Sequence, residues 1–154
     1  HDDGTAFISL QEYRSTRTDG VQWAVDWLAE RWNKTAAVVI DAQSPAMSIV
    51  PDLQKRHVRV TVTDTRQLGQ ATGRVLDMIR DKSLTHLSDK DQPQLAAAVK
   101  GVTLRDIGSN GAVAWNKKGS DVEISPLQAT TLALHGAFTA KRKPGRKQRL
   151  RRLA

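Results

Sequence analysis

Cysteine is absent from this 154-residue chain. That excludes disulfides and thiolate metal sites, and it suits a reducing compartment. Long apolar runs are missing too. None approaches the ~18 residues needed to cross a bilayer, so no transmembrane helix is expected. The opening HDDGTAF has neither a basic n-region nor an apolar h-region, so no secretory signal is read there. An initiator Met is also lacking, and the expectation is a processed or cropped piece of a longer chain. No Gly-rich phosphate loop, GxSxG elbow, HExxH pair or EF-hand loop occurs, and there is no internal repeat. Acid is absent from one place in particular. Residues 141–154, KRKPGRKQRLRRLA, hold eight Lys and Arg and no Asp or Glu, and they account for the whole net charge of +8. Residues 1–140 are neutral in sum.

What is present divides accordingly into a domain over 1–140 and a basic tail over 141–154. A block of like charge with Pro and Gly reads as a solvated, disordered tail. Such a tail favours polyanions, most simply the phosphates of nucleic acid. The alternatives are a solubilising end or a protein-docking peptide.

The body alternates strand and helix signals. TAFISLQEYR reads as a strand. In TDGVQWAVDWLAERW, Val21, Ala24, Val25, Leu28 and Trp32 recur at helical spacing, with Asp19 as the expected cap. Trp23, Trp27 and Trp32 cannot share one helix face, and core packing is expected for two of them. TAAVVID is a short apolar run ending in Asp41, the pattern of a strand buried on both faces. Ser44 and Pro45 open the next helix, which Pro51 is expected to kink or shorten. HVRVTVT reads as a strand, and TRQLGQATGRVLDMIRDK as an amphipathic helix weakened by Gly69 and Gly73. DQPQLAAAVKG reads as a shorter helix closed by Gly101. VTLRDIG and GAVAWNKK read as a hairpin around 108–111. SPLQATTLALHGAF is the last helix, with Ser125 as its expected cap. The order β-α-β-α-β-α-α-β-β-α implies an α/β fold with a partly parallel sheet.

Two carboxylates stand out. In open α/β sheets, ligands gather at the carboxyl ends of parallel strands, and Asp41 occupies such an end. A carboxylate buried there needs a hydrogen-bonding cap, a cation or a metal. The alternative is that Asp41 caps the following turn. Asp121 precedes the last helix, whose partly positive N-terminus tolerates a carboxylate. Lys117 and Lys118 precede it on a turn and could hold a phosphate beside it. This layout suits a hard divalent cation shared between carboxylates and a substrate phosphate, and two such ions suit phosphodiester cleavage. Glu123 is an auxiliary ligand or a surface charge. Of the four scattered histidines, His135 reads as packed or surface-bound rather than ligating.

Three segments carry a family resemblance over roughly residues 36–137. WNKKGSDVEISPLQATTLALHG resembles the closing segment of phage terminase large subunits, the DNA-packaging motor proteins. AAVVIDAQSPA resembles their central nuclease strand, and DKSLTHLSDKDQPQLAAAVKG resembles the segment between. The resemblance implies an RNase H-like α/β fold, a mixed sheet flanked by helices. It also implies a Mg²⁺- or Mn²⁺-dependent endonuclease that cuts concatemeric viral DNA during packaging. Asp41 matches the second of the family's three metal-binding acids and Asp121 the third. The first belongs to an opening strand that this chain is expected to lack, since Asp2 and Asp3 sit in a turn at a free end. His86 matches a recurring histidine, placed to contact DNA or to pack locally. Lys117, Lys118, Lys141, Arg142, Lys143, Arg146 and Lys147 are the expected DNA-binding residues. The implied partners are double-stranded DNA, the portal, the terminase small subunit and an ATPase domain of the same full-length protein, with no membrane. The implied location is the host cytoplasm, at the procapsid portal. The alternatives are a catalytically incomplete DNA- or portal-binding module, or a resolvase- or integrase-type nuclease of the same fold.

Overall fold

In chain order, the computed structural model, which describes residue 1 and residues 3–144, begins with β1 (Ala6–Ile8), α1 (Thr16–Asp19), α2 (Gln22–Arg31) and β2 (Val38–Asp41). Next come α3 (Val50–Lys55), β3 (Val60–Thr63), α4 (Thr65–Arg80) and β4 (Leu84–His86). The series ends with α5 (Pro93–Gly101), β5 (Leu104–Ile107), β6 (Ala112–Trp115) and α6 (Ser125–Thr139). No helix among the described residues is long and apolar enough to cross a membrane.

The fold is mixed α/β with small parallel and antiparallel sheets. β2 and β3 pair in parallel, Val38 opposite Val60 and Asp41 opposite Thr63. Their β-branched residues suit a pleated, half-buried surface. β5 and β6 form the expected antiparallel hairpin, turning through Gly108 and Gly111, whose φ of 65° and 72° favour glycine. β1, which lies within the expected first strand, pairs in parallel with β4, a strand that the sequence pattern did not reveal. β4 is three residues long, too short to display an alternation, so pairing rather than local pattern makes it a strand. The parallel and antiparallel components are therefore present in three two-stranded sheets, not in one hydrogen-bonded mixed sheet.

Several helix boundaries differ from expectation. Asp19 does not cap the tryptophan-bearing helix. Ser15 caps α1, Gly20 breaks the chain at φ 63°, and α2 starts after Val21 without a side-chain cap. Ser44 caps as expected, its Oγ accepting from Ala46 N at 3.2 Å. The segment it opens is a 3₁₀ turn, Pro45–Ile49, and Pro51 stands in the first turn of α3. There its missing N–H costs nothing. α4 begins with a reciprocal cap. Asp64 Oδ1 accepts from Gln67 N at 2.7 Å, and Gln67 Oε1 accepts from Asp64 N at 2.9 Å.

α6 organises the centre, packing against β2, α4, α5 and β1. Its outer wall is Val75, Met78, Leu95 and Ala98, which meet Leu127 and Leu134 in one core. A second core lies under β2, where Leu53 and Val25 are wholly enclosed with Val38, Ile40 and Val58. Each such enclosed side chain contributes about 2 kcal/mol. Two helix glycines are explained by close approach. A Cβ on Gly69 would lie 2.8 Å from Ile107, and one on Gly136 would lie 2.7 Å from Val39. The tryptophans of α2, and Trp32 in the 3₁₀ turn after it, meet the core-packing expectation only in part, Trp32 alone of the three resting against the second core. Trp23, Trp27 and Trp32 are all only half-buried, and each lies under an arginine: Arg14, Arg31 and Arg142 respectively.

Candidate functional site

Asp41 ends β2 and is only 7 % exposed. The alternation of β2 sends its carboxylate to the same side as Val39, toward the first turn of α6. Oδ1 accepts from Gln43 N at 3.2 Å, and Oδ2 accepts from Gln128 Nε2 at 3.0 Å. Both donors are neutral, and Asp41 forms no ion pair among the described residues. The turn contact with Gln43 is the capping role that the sequence left open. The contact with Gln128 is tertiary.

Two cavities meet at this carboxylate. One, of about 230 Å³, is bounded by Asp41, Ser44, Lys117, Ser125 and Gln128. The other, of about 400 Å³, is bounded by Asp41, Arg105, Asn116, Lys117, Lys118 and Gln128. Among the described residues Asp41 is the one acid on either wall, facing up to three cations. A larger cavity of about 570 Å³ lies between β1 and α6. Among the described residues no carboxylate lines it, and it shares no lining residue with the two cavities at Asp41.

The lysines are held by a braced loop after β6. Asn116 N donates to Thr103 O at 2.8 Å, and Gly119 N donates to Asn116 Oδ1 at 3.0 Å. Ser120 Oγ donates to Asn116 O at 2.7 Å and accepts from Thr103 N at 3.0 Å. These bonds tie the loop to the residue preceding β5, so Lys117 and Lys118 reach the cavities from a fixed backbone.

Asp121 is exposed in the turn beyond that loop. It lines neither cavity and takes part in no ion pair among the described residues. Ser125 is the first residue of α6, not its cap. The neighbouring Glu123 serves instead, its Oε1 accepting from Ser125 N at 2.9 Å. That bond, aided by the Ser125 hydroxyl and the charge of Lys117, holds Glu123 below the usual carboxylate range. His86 is exposed on β4 and in local contact, its Nδ1 lying 2.5 Å from Leu87 O and 3.3 Å from Gln92 Nε2. His135 is buried in α6. Burial, and then the charge of Arg74, lowers its pKa. Lys141, Arg142 and Lys143 follow α6, whereas Arg146 and Lys147 lie outside the described residues.

Gln128, Gln43, Arg105 and Asn116 were not legible as site residues. The one available signal was Gln128, an amide three residues inside a helix that is otherwise largely apolar.

The divalent ion implied by the resemblance needs several hard oxygen ligands. Asp41 has the right chemistry. Among the described residues, however, no group of three or more His, Cys, Asp or Glu could hold a metal. One carboxylate is gathered at the cavities, which falls short of the three-acid set. Comparison with known proteins adds no relative: no family model, no curated protein and no solved structure matches the chain.

Proposed function

We propose that this chain is a DNA-engaging domain of the terminase nuclease type, with an RNase H-like fold. Asp41 is its central acid, and Lys117, Lys118 and Arg105 are its phosphate-holding cations. The observation that carries the reading is Asp41 itself. It is a nearly enclosed carboxylate at a parallel strand's carboxyl end, satisfied only by neutral donors, opening on cavities whose other charged groups are all cations. Burying a carboxylate without a counter-ion is costly, and such a cost is characteristic of functional sites. The proposed partners are double-stranded DNA, the portal, the small subunit and an ATPase domain of the same protein, at the procapsid in the host cytoplasm. In the cleaving form, Mg²⁺ or Mn²⁺ would be held through Asp41 with further acids.

A second reading is favoured by the exposed placement of Asp121 away from the cavities. In it the chain binds DNA or portal without cutting. Supercoiled plasmid incubated with the chain and Mn²⁺ separates the two. Nicking that vanishes in Asp41→Ala supports the nuclease. Retarded but uncut plasmid supports the binding module. Neither binding nor nicking sinks both.

A further inference from the structure

A third charged cavity, of about 440 Å³, opens near the amino end of β2 and runs between α4 and α6. Its polar walls include Arg59, Gln67, Gln70, His135, Lys141 and Arg142, and among the described residues no carboxylate lines it. Arg59 and Lys141 are exposed and form no ion pair among the described residues. Gln67 spends its Oε1 on the cap of α4, which leaves its Nε2 hydrogens to donate.

Arg142 plays a different part. Its Nη1 donates to Trp32 O at 2.7 Å and also to Thr35 O. Its guanidinium lies 4.1 Å over the Trp32 ring. The chain leaving α6 is thereby fastened to the segment before β2, and Lys141 is held at the groove.

We propose that this groove is a second phosphate-binding site, distinct from the Asp41 cavities, which takes a phosphodiester of the nucleic-acid backbone through Arg59 and Lys141. Polar donors without any acid favour an anion. A polymeric anion is favoured over a free one by continuity of charge, because the basic block that starts at Lys141 runs on to residue 152. Spacing agrees. From Ala37, on the groove wall, to Asp41 is about 13 Å at the usual rise per strand residue. That equals about four base-pair rises along the axis of duplex DNA. A stretch of a few base pairs is therefore long enough to reach both places.

The inference rests on the nucleic-acid reading above but not on cleavage, so it is tested without metal. The 154-residue chain is titrated into labelled duplex DNA in EDTA over a range of salt. Removing two phosphate contacts in Arg59→Ala/Lys141→Ala should flatten the slope of log K against log salt by about 2. Lys90→Ala, which removes an exposed cation outside the groove, should leave the slope unchanged. Circular dichroism confirms that each variant is folded. In a second arm, calorimetry follows inorganic phosphate. A double variant with the Lys90→Ala slope overturns the proposal. So does one that loses inorganic phosphate binding yet holds DNA as before, which would mark a free-anion site. A wild-type chain that binds no DNA overturns the proposed function as well. Normal DNA binding that is indifferent to the groove overturns this inference alone.

Discussion

Asp41 Oδ2 accepts a hydrogen bond from Gln128 Nε2 at 3.0 Å, joining the end of β2 to the first turns of α6 across 87 residues of chain. The bond is the tertiary anchor of the only carboxylate at the two cavities among the described residues. It also makes the site's energetics testable apart from any activity.

Asp41→Asn removes a buried charge that has no cationic partner while keeping an oxygen acceptor. The Gln128 amide can rotate to suit the new group. The urea midpoint should rise by the equivalent of about 1 kcal/mol, and any Mn²⁺-dependent nicking should disappear. A midpoint lowered by more than ~2 kcal/mol would mean that the carboxylate is a structural cap.

Gln128→Ala leaves a buried carboxylate short of one donor, at a cost of about 2 kcal/mol. In an Asp41→Asn background the same change should cost clearly less, because a neutral amide is cheaper to leave unpaired. A double-mutant cycle in urea measures that coupling. Equal costs in the two backgrounds would show that the carboxylate's charge adds nothing to the contact.

Gly136→Ala should destabilise despite the better helix propensity of alanine. The helix gains about 1 kcal/mol, but the new methyl lies 2.7 Å from Val39 Cγ2, and overpacking of this kind costs about 1–3 kcal/mol. Val39→Ala in the same chain should recover most of the loss. Thermal unfolding of the two variants decides it, and an undiminished penalty in the double variant would point to another clash.

Acid should weaken the fold through two groups, His135 first and Glu123 at lower pH. The pKa of His135 is lowered in the folded state by burial and then by Arg74, from an ordinary value of 6.5. The unfolded state therefore binds the proton first, and stability falls as pH drops through 6.5 and levels off below the folded pKa. Glu123 is lowered from 4.5, chiefly by the Ser125 N–H. Its contribution is full above 4.5 and is lost as pH falls through its folded pKa. Urea midpoints followed against pH should show His135→Gln losing the upper decline and Glu123→Gln losing the lower one.

Part of the fold was readable because its causes are local. Ser44 before Pro45 is a helix start in any context. The four residues 108–111, with glycine at both ends, can turn a hairpin without help. Val38–Asp41 is a strand by its own side chains, and its final position put Asp41 at a carboxyl end. Glu123 shows how far this reaches. A carboxylate close to the start of the helix was visible, but which residue would satisfy the first N–H groups was not, since Ser125 and Glu123 both had the chemistry.

The sequence by itself determined the charge division between a neutral body and a cationic end, the absence of thiol chemistry, and the order of most helices and strands. These depend on composition and on neighbours within a turn or two. Only the tertiary structure decided that Leu84–His86 would pair with Ala6–Ile8, that Gln128 would bind Asp41, that Asp121 would stand outside the cavities, and that Arg142 would lie on Trp32. Each of these joins residues far apart in the chain, or depends on where distant elements come to rest. Such placements follow from how helices and strands pack, which no short window of residues contains.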